Sequence, residues 1–160
     1  MLLVFLALAL VSPKESGVIN EVLRSWFDEV HGANSSHAVL LYDRTVRPER
    51  SQLRVRVFSP ANEQPSRDYG DAKSLVEDLL NRSARVAAVE MPPHFQKTSH
   101  RTPGCDKPVA DVVSVSRPGI VGDDSAIVYL EYPGGARAYH LKRDGKRWVV
   151  GWYVDLWQCG

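Results

Sequence analysis

Between "ARAYHLKR" and "KRWVVGWYVDLW" the chain has only Asp144 and Gly145. Both flanks alternate apolar with polar residues, and Asp-Gly tolerates the positive φ of a two-residue turn. The segment is therefore expected to fold back as a β-hairpin. Two more breaks, "VGDD" and "GG", separate this unit from "SAIVYLEYP" and "VADVVSVSRPGI" upstream. Tight turns join antiparallel neighbours, so the last third reads as an antiparallel meander. By the two-residue period, Trp148, Val150, Trp152 and Val154 share one face of the final strand. Val149, Gly151, Tyr153 and Asp155 share the other. Gly151 marks a bulge or a close approach of backbone. The tryptophan face is expected to pack beneath helices.

Upstream, "SGVINEVLRSWFDEVHG" places Val18, Ile19, Val22, Leu23, Trp26, Phe27 and Val30 at helical spacing. Ser16 is expected to cap this helix and Gly32 to end it. "DAKSLVEDLLNRS" repeats the pattern at Ala72, Leu75, Val76, Leu79 and Leu80, with Asp71 as cap. "HAVLLYDRTV" reads as a buried strand. "QLRVRVF" reads as a strand with one wet face, Leu53, Val55 and Val57 alternating with Arg54 and Arg56. "SPANEQPSRDYG" is loop by composition, and Pro92 to Pro108 carries too many prolines for regular structure.

The expected class is α+β: a curved antiparallel sheet of about five to six strands with two helices packed on one face. Cystatin-like and nuclear-transport-factor-like folds share that layout, by analogy only. A chain of 160 residues suggests one domain, residues 13–160, behind an apolar segment at 1–12.

Formal net charge is +1, with acidic and basic residues interspersed. That balance does not attract nucleic acid. The run from Leu2 to Val11 is too short to span a bilayer, so no transmembrane helix is expected. It matches the apolar core of an export signal, although no Lys or Arg precedes it and Ala7-Leu8-Ala9 is its one fair small-x-small cleavage pattern. A start assigned too far downstream would account for the missing positive end. A secreted or periplasmic protein is therefore expected. The cysteines Cys105 and Cys159 fit that compartment as a disulfide.

Ser116, Arg117, Gly119, Asp123, Asp124, Ala126, Val128, Tyr129, Gly134, Gly135, Tyr139, Asp144, Gly145 and Trp148 form a pattern. It runs Ser-Arg-x-Gly, an acidic turn, Ala-x-Val-Tyr, a glycine turn, an aromatic strand, then Asp-Gly-x-x-Trp. This resembles a C-terminal β-meander module of small bacterial secreted proteins of uncharacterised function. The resemblance implies a fold rather than an activity, since that group offers no agreed catalytic residues.

The sequence has no Ser-centred nucleophile elbow and no phosphate-binding glycine loop. No cofactor is expected. His94, His100, Cys105, Asp106 and His140 match no familiar metal spacing, and His31 with His37 is weaker still. The carboxylate pairs Asp28-Glu29, Glu77-Asp78 and Asp123-Asp124 read as helix faces and turn chemistry. Arg143, Lys146 and Arg147, beside Lys142, crowd one hairpin tip and are a candidate contact for a protein partner. The expected role is thus a non-enzymatic exported domain that binds a protein partner or a small ligand. The rival readings are an inhibitor or immunity protein, and an enzyme that uses His140 or Asp155 with Tyr139 or Tyr153. Oligomeric state is left open.

Overall fold

A computed structural model describes residues 8–57, 71–101, 104–105 and 112–160. The first helix, α1, spans Pro13–His31. It begins one turn before the expected cap. Ser12 Oγ accepts from the Glu15 amide at 3.3 Å, and the Ser12 amide donates to the Glu15 carboxylate at 3.0 Å. With Pro13 in the first helical turn, this is a capping box in which Pro is pre-set for the helix. Ser16 lies inside the helix, buried, and donates to Glu90 at 3.1 Å.

The chain continues through β1 (Val39–Tyr42), α2 (Arg50–Val57), α3 (Ala72–Ser83), β2 (Phe95–Thr98) and β3 (Val112–Val115). It ends with β4 (Gly119–Val121), β5 (Ser125–Tyr132), β6 (Gly135–Asp144) and β7 (Arg147–Gln158). The sheet runs β2-β1-β3-β5-β6-β7, with β4 also pairing with β5. It is open and mixed. The meander is antiparallel as expected, whereas β1 lies parallel to both β2 and β3. β2 occupies part of the segment expected to be irregular, in its proline-free portion after Pro93.

The α+β class holds, but the helices divide between the two faces of the sheet. Ala126, Val128 and Leu130 of β5 pack with Val18, Ile19, Val22, Leu23 and Trp26 of α1. Ile127 and Tyr129 point the other way, into Leu53 of α2 and Leu75, Val76, Leu79 and Leu80 of α3. The expectation of one covered face is therefore corrected. Its sequence signal was available, because "SAIVYLEY" is a near-continuous apolar run, as strands covered on both faces are.

"QLRVRVF" is also corrected, from strand to the helix α2. Leu53 is buried against α3, and Arg50 makes a bidentate ion pair with Glu77 of that helix. The alternation is too short for periodicity to separate the two structures, and Arg is a good helix former. Asp71 precedes α3 but makes no side-chain cap bond. Its carboxylate lies toward His140 and Lys142 of β6, at 3.6 and 3.7 Å.

The hairpin at Asp144 forms one residue later than expected. Asp144 pairs with Arg147, and the turn is Gly145 with Lys146; Gly145 takes the positive φ, 61°. In β7 the period is broken twice. His140 opposes Trp152 and Leu141 opposes Val150, so Gly151 is an extra residue; Leu156 is a second. Trp148 and Val150 therefore face α1, while Trp152 and Trp157 join the opposite cluster with α3. Trp148 does lie under α1, with its ring 3.6 Å from where a Gly17 Cβ would stand. Trp152 does not, and both rings are half-buried rather than fully buried.

The Ser-Arg-x-Gly segment is structural. Ser116 Oγ accepts from the Tyr129 amide at 3.0 Å. Arg117 grips the Glu15 carboxylate at 2.8 and 2.9 Å. A Cβ on Gly119 would sit 2.7 Å from the Leu79 amide and overlap the Leu75 carbonyl. Cys105 and Cys159 form a disulfide with their Cα atoms 5.5 Å apart, tying the end of β7 to the loop after β2.

Candidate ligand-binding cleft

On the α2/α3 side of the sheet, Tyr129 and Glu131 of β5 stand beside Trp157, which the Leu156 bulge turns to that face. Val46, Arg47, Pro48, Glu49 and Gln52 approach from the start of α2. Arg101, Gly104 and Cys105 approach from the loop after β2. Together they enclose a cleft of about 610 Å³, within the size range of small-molecule sites.

Its floor is aromatic and its lip is charged. The buried Tyr129 hydroxyl donates to Glu131 Oε2 at 2.9 Å. Burial, then the neighbouring Glu131 carboxylate, push the phenol well above its ordinary pKa, against smaller opposing effects from Trp157 and Arg101. Tyr129 is thus a neutral donor at any physiological pH. Glu131 Oε1 accepts from the Gly104 amide at 3.4 Å. Arg101 donates to Ser114 Oγ at 3.3 Å and lies 5.7 Å over the Tyr42 ring. Arg47 donates to the Leu80 carbonyl at 3.2 Å. Arg47, Glu49, Arg101 and Glu131 line the cleft without an ion-pair partner among the described residues. The cleft thus offers two guanidinium groups and two carboxylates to whatever enters it.

Two other cavities flank the C-terminal half of α1. One, of about 440 Å³, is lined by Trp26, Val30, His31, His37, Leu40 and Tyr132 among others. The other, of about 540 Å³, is lined by Phe27, Asp28, Pro92, Pro93, His94 and neighbours. His31 stacks on His37 at 4.3 Å and His94 on Phe27 at 4.6 Å.

Of the residues of the enzyme reading, Tyr139, Tyr153 and Asp155 come together and His140 stands apart. Tyr139, Tyr153 and Asp155 gather on the α1 face around Arg137. Arg137 donates to Asp155 at 2.7 Å, to Glu29 at 3.0 Å and to Tyr139 at 3.4 Å, and lies 4.3 Å over the Tyr153 ring. His140 lies on the other face, 0 % exposed, stacked on Trp152 at 4.9 Å. None of the four lines a cavity described above. Burial pushes Tyr139 up to about 12, with Arg137 opposing the shift. Tyr139 is thus a packed phenol beside an ion-pair network.

The hairpin-tip residues Arg143, Lys146 and Arg147 are exposed, at the opposite end of β7 from the cleft. Of the histidines and cysteines weighed for metal, Cys105 is in the disulfide and Asp106 lies outside the described residues. Among the described residues no group of three or more His, Cys, Asp or Glu is arranged to hold an ion. Arg47, Arg101 and Glu131 come from separate segments and carry no shared motif that sequence could show; of the cleft residues, Tyr129 stands in the Ala-x-Val-Tyr pattern and Cys105 in the expected disulfide. Comparison with known proteins gives no match, whether to a family model, a curated protein or a solved structure, so the geometry of the cleft carries the functional reading.

Proposed function

We propose that this chain is an exported, non-enzymatic domain that binds a small zwitterion of the amino-acid or short-peptide class in the cleft beside the disulfide. The observation that carries this reading is the set of four charged groups, Arg47, Glu49, Arg101 and Glu131, left without ion pairs among the described residues around an aromatic floor. Guanidinium groups bind carboxylates in a planar, charge-assisted geometry, and carboxylates bind ammonium groups the same way. A ligand with both charges and an apolar body satisfies lip and floor together. The disulfide supports export, since such bonds persist in oxidising compartments. The apolar run from Leu2 to Val11 and the resemblance of the C-terminal segment to secreted proteins point the same way. Among the described residues no helix is long and apolar enough to cross a membrane.

Titration calorimetry with a panel of amino acids and dipeptides tests the reading. At least one member is expected to bind at micromolar Kd, and Arg101→Ala to weaken it at least about tenfold, a loss near 1.4 kcal/mol. If every member binds more weakly than about 1 mM, the ligand reading fails.

A protein partner is the second reading, favoured by the exposure of Arg143, Lys146 and Arg147 at one tip. A pull-down that captures the same partner with these three residues replaced by Ser removes that surface from consideration.

A further inference from the structure

We infer that export processing hydrolyses the Ala9–Leu10 peptide bond, so that the mature domain begins at Leu10 rather than at Pro13. This rests on the export reading above. The sequence alone places the domain boundary after Ser12, where the helical pattern is about to begin. The folded domain reaches back further.

Ser12 is the N-cap of α1, bonded both ways to Glu15. Glu15 is in turn held by Arg117, which lies in the meander between β3 and β4. Val11 is only 5 % exposed and belongs to the core cluster of α1. Its amide donates to the Ala88 carbonyl at 3.3 Å, and Leu10 forms a parallel bridge with Ala88. Cleavage between Ser12 and Pro13 would remove the cap, a core side chain and this bridge together.

The hold on the chain ends just before these residues. Leu10 is 64 % exposed and Leu8 is 42 % exposed, so neither apolar side chain is used by the core. What remains among the described residues is one backbone bond, from the Ala88 amide to the Ala9 carbonyl at 2.9 Å, the second of the two bonds that form the Leu10–Ala88 bridge. Ala88 is half-buried, so water can replace that acceptor. Ala7-Leu8-Ala9 supplies the small residues that export peptidases accept at the first and third positions before the cut. The sequence pattern and the inner limit of the fold therefore meet at the same bond. An export endopeptidase would add water across it. The hydroxyl goes to the Ala9 carbonyl carbon, which leaves as the carboxylate of the leader. Leu10 nitrogen takes both protons of that water, the second released by the new carboxyl group, and becomes the new α-ammonium.

The test is to produce the full chain in a bacterial host and fractionate cytosol, membrane, periplasm and medium. Intact mass and N-terminal sequencing then read the start of each species. The expected exported species begins at Leu10, and Ala9→Arg is expected to abolish it. An exported species that begins at Pro13, or at any other residue, overturns the cleavage site while leaving export standing. An intact chain confined to the cytosol overturns the export reading and the site with it. A second measurement is independent of export. A purified chain starting at Leu10 is expected to melt within about 2 °C of the full chain, and one starting at Pro13 at least about 5 °C lower. Equal melting of the two truncated chains overturns the boundary.

Discussion

Glu15 carries a carboxylate with 1 % of its surface exposed, and it is held ionised. Burial alone would raise its pKa. The hydrogen bonds and charge of Arg117, with the bonds from Ser12, outweigh burial and hold it below the ordinary carboxylate value. One side chain thereby joins the start of α1 to the segment between β3 and β4. Glu15→Ala should cost about 3 kcal/mol, because it strands Arg117 and opens the cap; chemical denaturation measures this. The pH dependence has a definite sign. A depressed carboxylate contributes stability that is complete above its unfolded pKa and is lost as pH falls through the folded pKa. The melting temperature of the wild type should therefore fall toward that of Glu15→Gln as the solution is acidified below the carboxylate range. Curves that stay parallel would remove Glu15 from the acid response. Gly119 makes a different kind of junction. Its missing Cβ lets β4 approach the backbone of α3, so Gly119→Ala should destabilise by about 3 kcal/mol or more, from overpacking against groups that cannot turn aside.

At the level of the element, β7 shows why side-chain periodicity misled. Read as an unbroken strand, it put four apolar residues on one face. The Gly151 bulge exchanges the faces midway, and Trp148 and Trp152 serve opposite clusters. Deleting Gly151 should therefore be severe, because it forces either the Trp148–Val150 pair or the Trp152 segment out of its core; loss of a cooperative melt is expected. Gly151→Ala should be tolerated within about 1 kcal/mol, since a Cβ there meets His140 Nδ1 only at ordinary contact, 3.6 Å. It is the count of residues that sets this strand, not the absence of a side chain. The glycine was visible in the sequence as a bulge candidate, and the hairpins were visible from their turn residues. The parallel pairings of β1 were not, because nothing local records which distant strand a buried strand will join. The N-cap at Ser12 was legible too, as Ser-Pro-Lys-Glu, but the apolar pattern drew attention to Ser16 instead.

For the whole molecule, the cleft illustrates what a linear reading cannot reach. Its charged lip comes from residues 47–49, 101 and 131 and its floor from 129 and 157, and apart from 129 with 131 on β5 no short window contains two of them. The disulfide borders this assembly. Reducing it should cost roughly 4 kcal/mol through the freed loop in the chain-entropy model, lowering the melting temperature by about 10 °C. Ligand affinity should fall with it, because Gly104 and Cys105 line the cleft. Unchanged melting under reductant would show the bond to be dispensable. The division of helices between two faces has a further consequence, for the time before the fold exists. A ribosome makes α1, with its apolar stripe from Val18 to Phe27, some hundred residues before β5, β6 and β7, which cover that stripe. Helix α1 thus emerges well before it is buried. Until those strands follow, the nascent chain carries a sticky surface past every neighbour it meets, and a holding chaperone is the natural escort for such a chain.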